Sequence, residues 1–243
     1  MPPDDLQALV HDVRTSTARF LLALDELPAD MGRPSLLPGW SAGHLLTHVA
    51  RNADAVSRTL AGARNGHPTP MYPGGTVARD AEIDAGSGRP LSEQAEDVRE
   101  SATRLDDTWR QMDAESWDRD AITRTGSIPA WRTVRSRWNE VELHWVDLDA
   151  GYLPSDWPAG YVASLLAGTT GPALADRLPA NVALDLRTSD TAQRWQVGPE
   201  GAPIVTITGP ASAMACWLSG RPGPDRGALE VTPGGLPRLG PWT

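Results

Sequence analysis

The sequence predicts an α+β protein, with a four-helix bundle over residues 1–152 and a smaller α+β domain over 153–243. Three observations carry this. The first two-thirds of the chain repeats apolar residues three and four positions apart, the period of an amphipathic helix. After Gly151 short β-branched runs punctuated by Gly and Pro take over. The chain has 243 residues, 40% hydrophobic and 22% charged, which suits one large or two small globular domains.

The elements follow in order. Asp4 to Leu27 sets Leu6, Leu9, Val10, Val13, Phe20, Leu21, Leu24 and Leu27 near one face of a first helix. Pro28 to Pro38 is a breaker-rich connection. Trp40-Ser41 opens a second helix, with Ser41 as N-cap ahead of Leu45, Leu46, Val49, Val56 and Leu60. Asn65 to Pro90 holds five Gly and four Pro and reads as one long loop, a length that in compact domains often serves function. A third helix is expected over Ser92 to Met112 and a fourth over Pro129 to Ala150, with Gly151 as its stop. Four helices with one long connection make a bundle. Beyond them a helix is expected over Ala159 to Leu178, then strands at Val182–Leu186, Arg194–Val197 and Ile204–Thr208. A short helix over Pro210–Ser219 and a last strand near Leu229–Val231 complete the second domain.

Composition excludes several functions. The net charge is -9, from 31 acids against 22 bases, the wrong sign for a protein that tracks a nucleic-acid backbone. Every base is Arg, as GC-rich bacterial coding favours. The single cysteine, Cys216, excludes an intramolecular disulfide and a multi-cysteine zinc site, so a metal would sit on His and carboxylate ligands. Cys216 lies in the apolar run Ala213–Leu218, the setting of an inert buried thiol. The N-terminus lacks the basic and apolar regions of a signal peptide. Two uncharged stretches, Trp157–Ala175 and Gly201–Gly220, each carry three Gly and two Pro, which argues against membrane spans. A cytoplasmic protein is expected.

Five His are present: His11, His44, His48, His67 and His144. His44 and His48 share a face of the second helix, and Glu140 and His144 share a face of the fourth, because residues four apart on a helix are neighbours. Zinc takes His nitrogen and carboxylate oxygen, and a catalytic zinc keeps three protein ligands and one open position. A Glu four residues before a His also suits a plain charge-assisted contact, so spacing alone leaves both readings open. His44 in the first turn suits capping or packing, while His11 and His67 read as surface residues. Glu142 falls on another face from Glu140 and is the poorer ligand.

Longer blocks carry a family resemblance. The segment Trp40-Ser41-Ala42-Gly43-His44-Leu45-Leu46-Thr47-His48-Val49-Ala50-Arg51-Asn52 resembles the metal-helix signature of DinB-like bundle proteins. Thr69-Pro70-Met71-Tyr72-Pro73 with Arg79, Glu82 and Ile83 is similar to the mycothiol-dependent maleylpyruvate isomerases within that group. So are Arg135 to Leu148 and the Gly220-Arg221 pair after a short helix. The resemblance implies a DinB-like bundle followed by a sterol-carrier-like domain. It implies zinc on His48, Glu140 and His144, with His44 left structural. The implied reaction converts maleylpyruvate to fumarylpyruvate in gentisate breakdown: a thiolate adds to the conjugated double bond, the bond rotates, and the thiolate leaves. Mycothiol supplies that thiol, and zinc coordination deprotonates it. The substrate's carboxylates call for Arg, which grips a carboxylate by two parallel hydrogen bonds. Arg221 matches the family's catalytic cation, arriving from the second domain to face the zinc. Arg79 on the long loop is the candidate for contact with mycothiol or substrate, and the neighbouring Tyr72 joins it as a cofactor-binding residue. Pro222-Gly223-Pro224 is expected to fix the turn after Arg221. Asp147 suits either an acceptor that orients the His144 ring or a surface acid at the helix end. Two competing readings remain. One is a zinc-dependent mycothiol S-transferase with the same metal site. The other is a non-catalytic protein binding a metal or an apolar ligand, against which three ligands rather than four count.

Overall fold

The computed structural model describes residues 5–221 and 227–241. Helices dominate, with two small sheets, so the fold class is the α+β one expected. The chain divides into two compact units, Met1–Ala150 and Gly151–Thr243.

In the first unit the long helices are α1 (Leu6–Ala23), α2 (Ala42–Arg64), α4 (Leu91–Arg110) and α6 (Arg132–Asp147). Helix α2 packs along α4 and α6, and α1 packs on α6. Val13, Phe20, Leu45, Leu46, Val49, Leu60, Leu105, Val134 and Val141 fill the space between them. Each such side chain contributes about 1.5–3 kcal/mol on leaving water. Trp138 reaches across the bundle, its Nε1 donating to Ser16 Oγ at 2.8 Å.

Three expectations need correction. The segment 65–90 is not one long loop, for α3 (Gly75–Gly86) forms within it. Its sequence hides the helix because Ile83 is its one buried residue among those described. What holds α3 is close approach to α2. A Cβ on Gly43 would collide with the Ser87 carbonyl oxygen, and one on Gly86 would meet Thr47 Cγ2 at 2.6 Å. The fourth long helix starts at Arg132, because the residues before it form a hairpin of β1 (Asp120–Thr123) and β2 (Gly126–Pro129), preceded by α5 (Ala114–Asp118). The helix expected over 159–178 breaks in two, into α7 (Ala159–Thr169) and α8 (Pro172–Ala175). Gly171 sits between them at φ +71°, a left-handed conformation that ends a helix, and Pro172 restarts the next.

The second unit holds α7, α8, a four-stranded sheet and α9 (Ala211–Leu218). The strands are β3 (Ala183–Thr188), β4 (Arg194–Val197), β5 (Ile204–Gly209) and β6 (Glu230–Thr232), in the order β4-β3-β5-β6. β3 and β5 are parallel, and the edge pairs are antiparallel. Leu184, Leu186 and Ile207 from the sheet, Leu165 and Leu166 from α7, and Met214 and Leu218 from α9 are buried. Cys216 is fully buried among them, as its apolar run predicted. No described helix is long and apolar enough to cross a membrane.

Candidate metal centre

Helix α2 begins with a reciprocal cap. The Ser41 hydroxyl accepts from the His44 backbone N–H, and the His44 ring Nδ1 accepts from the Ser41 N–H at 3.2 Å. His44 also stacks on Trp40, with ring centroids 6.3 Å apart. Its first-turn role is therefore structural. One turn later, His48 points into the bundle, 4% exposed.

From α6, Glu140 and His144 converge on the same point. Glu140 Oε2 lies 2.8 Å from His48 Nε2 and 3.1 Å from His144 Nε2. The His48 and His144 rings meet edge to face at 4.8 Å. All three donor atoms fall within 4.8 Å of one another, the only such group of metal-ligating side chains among the described residues. Glu142 is buried but lies outside it. His11 and His67 are exposed.

Asp147 is fully buried, with Oδ2 2.9 Å from His144 Nδ1. It is therefore the acceptor that orients the His144 ring, not a surface acid. A carboxylate on the far ring nitrogen leaves Nε2 for a metal, the usual support of a metal-binding imidazole.

Burial alone would lower the His144 pKa, but hydrogen bonds to Asp147 and Glu140 outweigh it and raise the group above 6.5. Burial lowers His48 to about 4, against the opposing pull of Glu140. Burial would raise Glu140, yet His48 and His144 hold it well below the ordinary carboxylate range. The protonation pattern is thus a neutral His48, an ionised Glu140, and a His144 that shares its protons between two carboxylates.

The donor set fits a divalent ion such as zinc. A tetrahedral ion with bonds of about 2.0–2.1 Å spaces its donors about 3.3–3.4 Å apart, so the two contacts of Glu140 Oε2 would each lengthen by only a few tenths of an ångström. His144 would give up its Nε2 proton to do so. His48 would shift its proton from Nε2 to Nδ1. That shift has a consequence for Arg79, whose guanidinium donates to His48 Nδ1 at 3.1 Å. A guanidinium cannot accept a hydrogen bond. The Arg79 contact therefore belongs to the metal-free tautomer, and metal loading would release Arg79 from His48.

Arg79 comes from α3, not from a loop. Its charge lies 5.7 Å from the Trp40 ring and 5.9 Å from the Tyr72 ring, and NH1 reaches Asp80 at 2.6 Å. Burial raises the Tyr72 phenol pKa above 10, against the opposing pull of the nearby Arg79 and Asn52. The strand-like contact of this block with β1 fixes it: Met71 N–H donates to Ile122 O at 2.9 Å, and Arg58 holds the Met71 carbonyl at 2.6 Å. Tyr72 and Arg79 are thus brought to the His48 side of the triad.

Sequence reasoning did not single out Trp40, Asn52 or Arg137. Trp40 packs edge-on to His48 at 5.3 Å. Arg137, 1% exposed, donates to Val49 O at 2.9 Å and to Asn52 Oδ1 at 2.8 Å. The available signal was an Arg three residues before Glu140, on the helix face that is otherwise buried. Arg221 lies in the second unit just past α9. Its N–H donates to Cys216 O at 3.3 Å and its NH1 to Ser219 O at 3.3 Å. The turn expected at Pro222-Gly223-Pro224 lies outside the described residues.

Residues 10–149 match the family described as mycothiol maleylpyruvate isomerase N-terminal domain. Two crystal structures are similar over nearly the whole chain: the mycothiol-dependent maleylpyruvate isomerase, and a histidine-to-alanine mutant of it. Each superposes with a TM-score of 0.87 at 28% identity, covering 98% of this chain and 97% of that chain. The curated proteins compared give no match.

Proposed function

The chain belongs to the mycothiol maleylpyruvate isomerase family, and on that premise we propose that it isomerises maleylpyruvate to fumarylpyruvate with zinc and mycothiol. The observation that carries this reading is the triad of buried His48 and His144 with the half-buried Glu140, backed by Asp147 and flanked by Tyr72 and Arg79. Three ligands are the number a catalytic zinc uses.

Bound at the triad, zinc supplies a Lewis acid that makes a small thiol ionise at neutral pH. The protein's own part is to hold that centre and present the substrate. Glu140 contributes one negative charge and the two imidazoles none, so a divalent centre keeps a net positive charge. Asp147 accepts a hydrogen bond from the His144 Nδ1–H and fixes the ring. Trp40 covers one side of His48 and limits water there. Tyr72 and Arg79 are assigned to the thiol cofactor or the substrate, with Arg79 freed for this by the tautomer shift at His48. Arg221, from the second unit, is assigned to a substrate carboxylate. We read that second unit as sterol-carrier-like, and the cytoplasm, which keeps small thiols reduced, as the place of action.

The test is direct. Purified protein carrying zinc is incubated with maleylpyruvate, with and without mycothiol, and the trans isomer is followed. Formation of fumarylpyruvate that needs mycothiol is expected. A stable thioether between mycothiol and the substrate, with no trans product, would instead make the protein an S-transferase.

A further inference from the structure

The strongest unexplained feature outside the metal centre is the charge of Arg137. Its NH1 is used by Val49 O and Asn52 Oδ1, both neutral acceptors. Among the described residues no carboxylate makes a direct ion pair with it, and Glu140 and Asp54 act on it only from further away; it is 1% exposed, and burial lowers its pKa to about 10. A buried charge with no direct ion partner is costly and leaves room for an anion at contact distance. Arg137 lines a cleft of about 350 Å³ between α1 and α4. Trp109 lines the same cleft, and its Nε1–H is buried with no acceptor among the described residues. Two donor-bearing side chains in need of an acceptor thus border one cavity.

The walls say what kind of acceptor. Ala18, Leu21, Ala102 and Leu105 make them largely apolar. At the mouth, Arg14 and Arg110 are already paired with Asp106, and Arg110 also with Asp107. Those acids would repel a doubly charged ligand, while the single guanidinium of Arg137 matches a single charge. A cleft of this size lies within the range of small-molecule sites, which combine apolar walls with a few polar anchors and occur between helices of bundles.

We propose that the cleft between α1 and α4 is a second ligand site, which takes a small monocarboxylate on a flat apolar body, such as an aromatic acid. The carboxylate pairs with Arg137, and the body lies against Leu21 and Ala102. Arg137 itself reaches towards the metal centre, through its bond to Asn52 Oδ1 and the charge of Glu140.

Isothermal titration of the zinc-loaded protein with sodium benzoate tests this. One saturable site per chain is expected, with benzyl alcohol, acetate and phthalate each weaker by at least about tenfold. Benzyl alcohol lacks the charge, acetate the apolar body, and phthalate carries one charge too many. Ala102→Phe fills the cleft and should abolish benzoate binding while zinc content and isomerase activity stay unchanged. Arg137→Met should also abolish it. If that variant fails to fold, the Ala102→Phe result decides. Chelator-treated wild-type protein should bind benzoate as well as the loaded protein does. The proposal is overturned by absence of saturable binding, by binding that survives Ala102→Phe, by equal binding of benzyl alcohol, or by binding that requires zinc.

Discussion

Asp185 and Glu140 each sit between two nitrogen-bearing side chains, and they differ in kind. In the second unit Asp185 is gripped by Arg194, through Nε at 2.7 Å and NH2 at 3.0 Å, and by Arg187 NH2 at 2.5 Å. In the first unit Glu140 is gripped by His48 and His144. The hydrogen bonds to Arg194 lower the Asp185 pKa, just as the imidazoles lower that of Glu140. Yet a guanidinium never gives up its proton in a protein, so Asp185 is closed as an ion pair. Imidazoles can exchange protons for a metal, so the Glu140 cluster is poised to open. A carboxylate between two bases becomes a metal site only when the bases can titrate.

The largest expected effect breaks that comparison at its centre. Glu140→Ala should lower zinc affinity by at least about a thousandfold and abolish turnover, since one of three ligands is gone. Asp185→Asn should leave zinc content and rate unchanged and lower the Tm by about 2–5 °C, because its partners are half exposed. Metal analysis with thermal melts separates the two. If Asp185→Asn lost zinc, the contrast would fail.

Next in size is Arg221. Arg221→Ala should cut the isomerisation rate by about 100-fold or more while zinc content and Tm stay normal. Arg221→Lys should remain clearly impaired, because the two-pronged grip on a carboxylate is lost. A wild-type rate in the alanine variant would remove Arg221 from the chemistry.

Asp147→Asn keeps the shape beside His144 but removes the charge. Zinc affinity measured by competition with a chromophoric chelator should fall about 10–100-fold. Zinc uptake should also release a proton and weaken as the pH falls. The sign follows from His144: its pKa is raised above 6.5, so more of it is protonated as the pH drops, and that proton must leave before Nε2 can bind. His48, lowered to about 4, adds little to this dependence near neutrality.

The smallest effect sharpens the account of Arg79. Arg79→Met removes the cation that holds the metal-free tautomer of His48, so zinc should bind at least as tightly as in the wild type. KM for substrate or mycothiol should rise by about tenfold if Arg79 then contacts either. Weaker zinc binding in this variant would contradict the tautomer argument.

The two helices that supply the metal ligands were legible because each carries a strong local pattern. Ser41 caps, apolar residues recur through Leu60, and Glu140 and His144 share a face by spacing alone. That His48 meets them from 92 residues away is a tertiary fact. Spacing could not give it, and the family resemblance did. The α3 helix escaped notice because its stability comes from contact with α2 through Gly43 and Gly86, where sequence shows only flexible, breaker-rich residues. The hairpin Asp120–Pro129 is too short for an alternating pattern to declare itself. Nothing in the sequence marks Arg137 and Asn52 as buried, since polar residue types carry no sign of burial.

The most direct test of the central claim is anomalous diffraction at the zinc edge, from crystals of chelator-stripped protein reloaded with zinc. A single peak is expected, bonded to His48 Nε2, Glu140 Oε2 and His144 Nε2 at about 2.0–2.1 Å, with the Arg79 guanidinium moved off His48 Nδ1 and no peak at Asp185. An absent peak at the triad, or a zinc ion bound elsewhere while the triad keeps its hydrogen bonds, would contradict it.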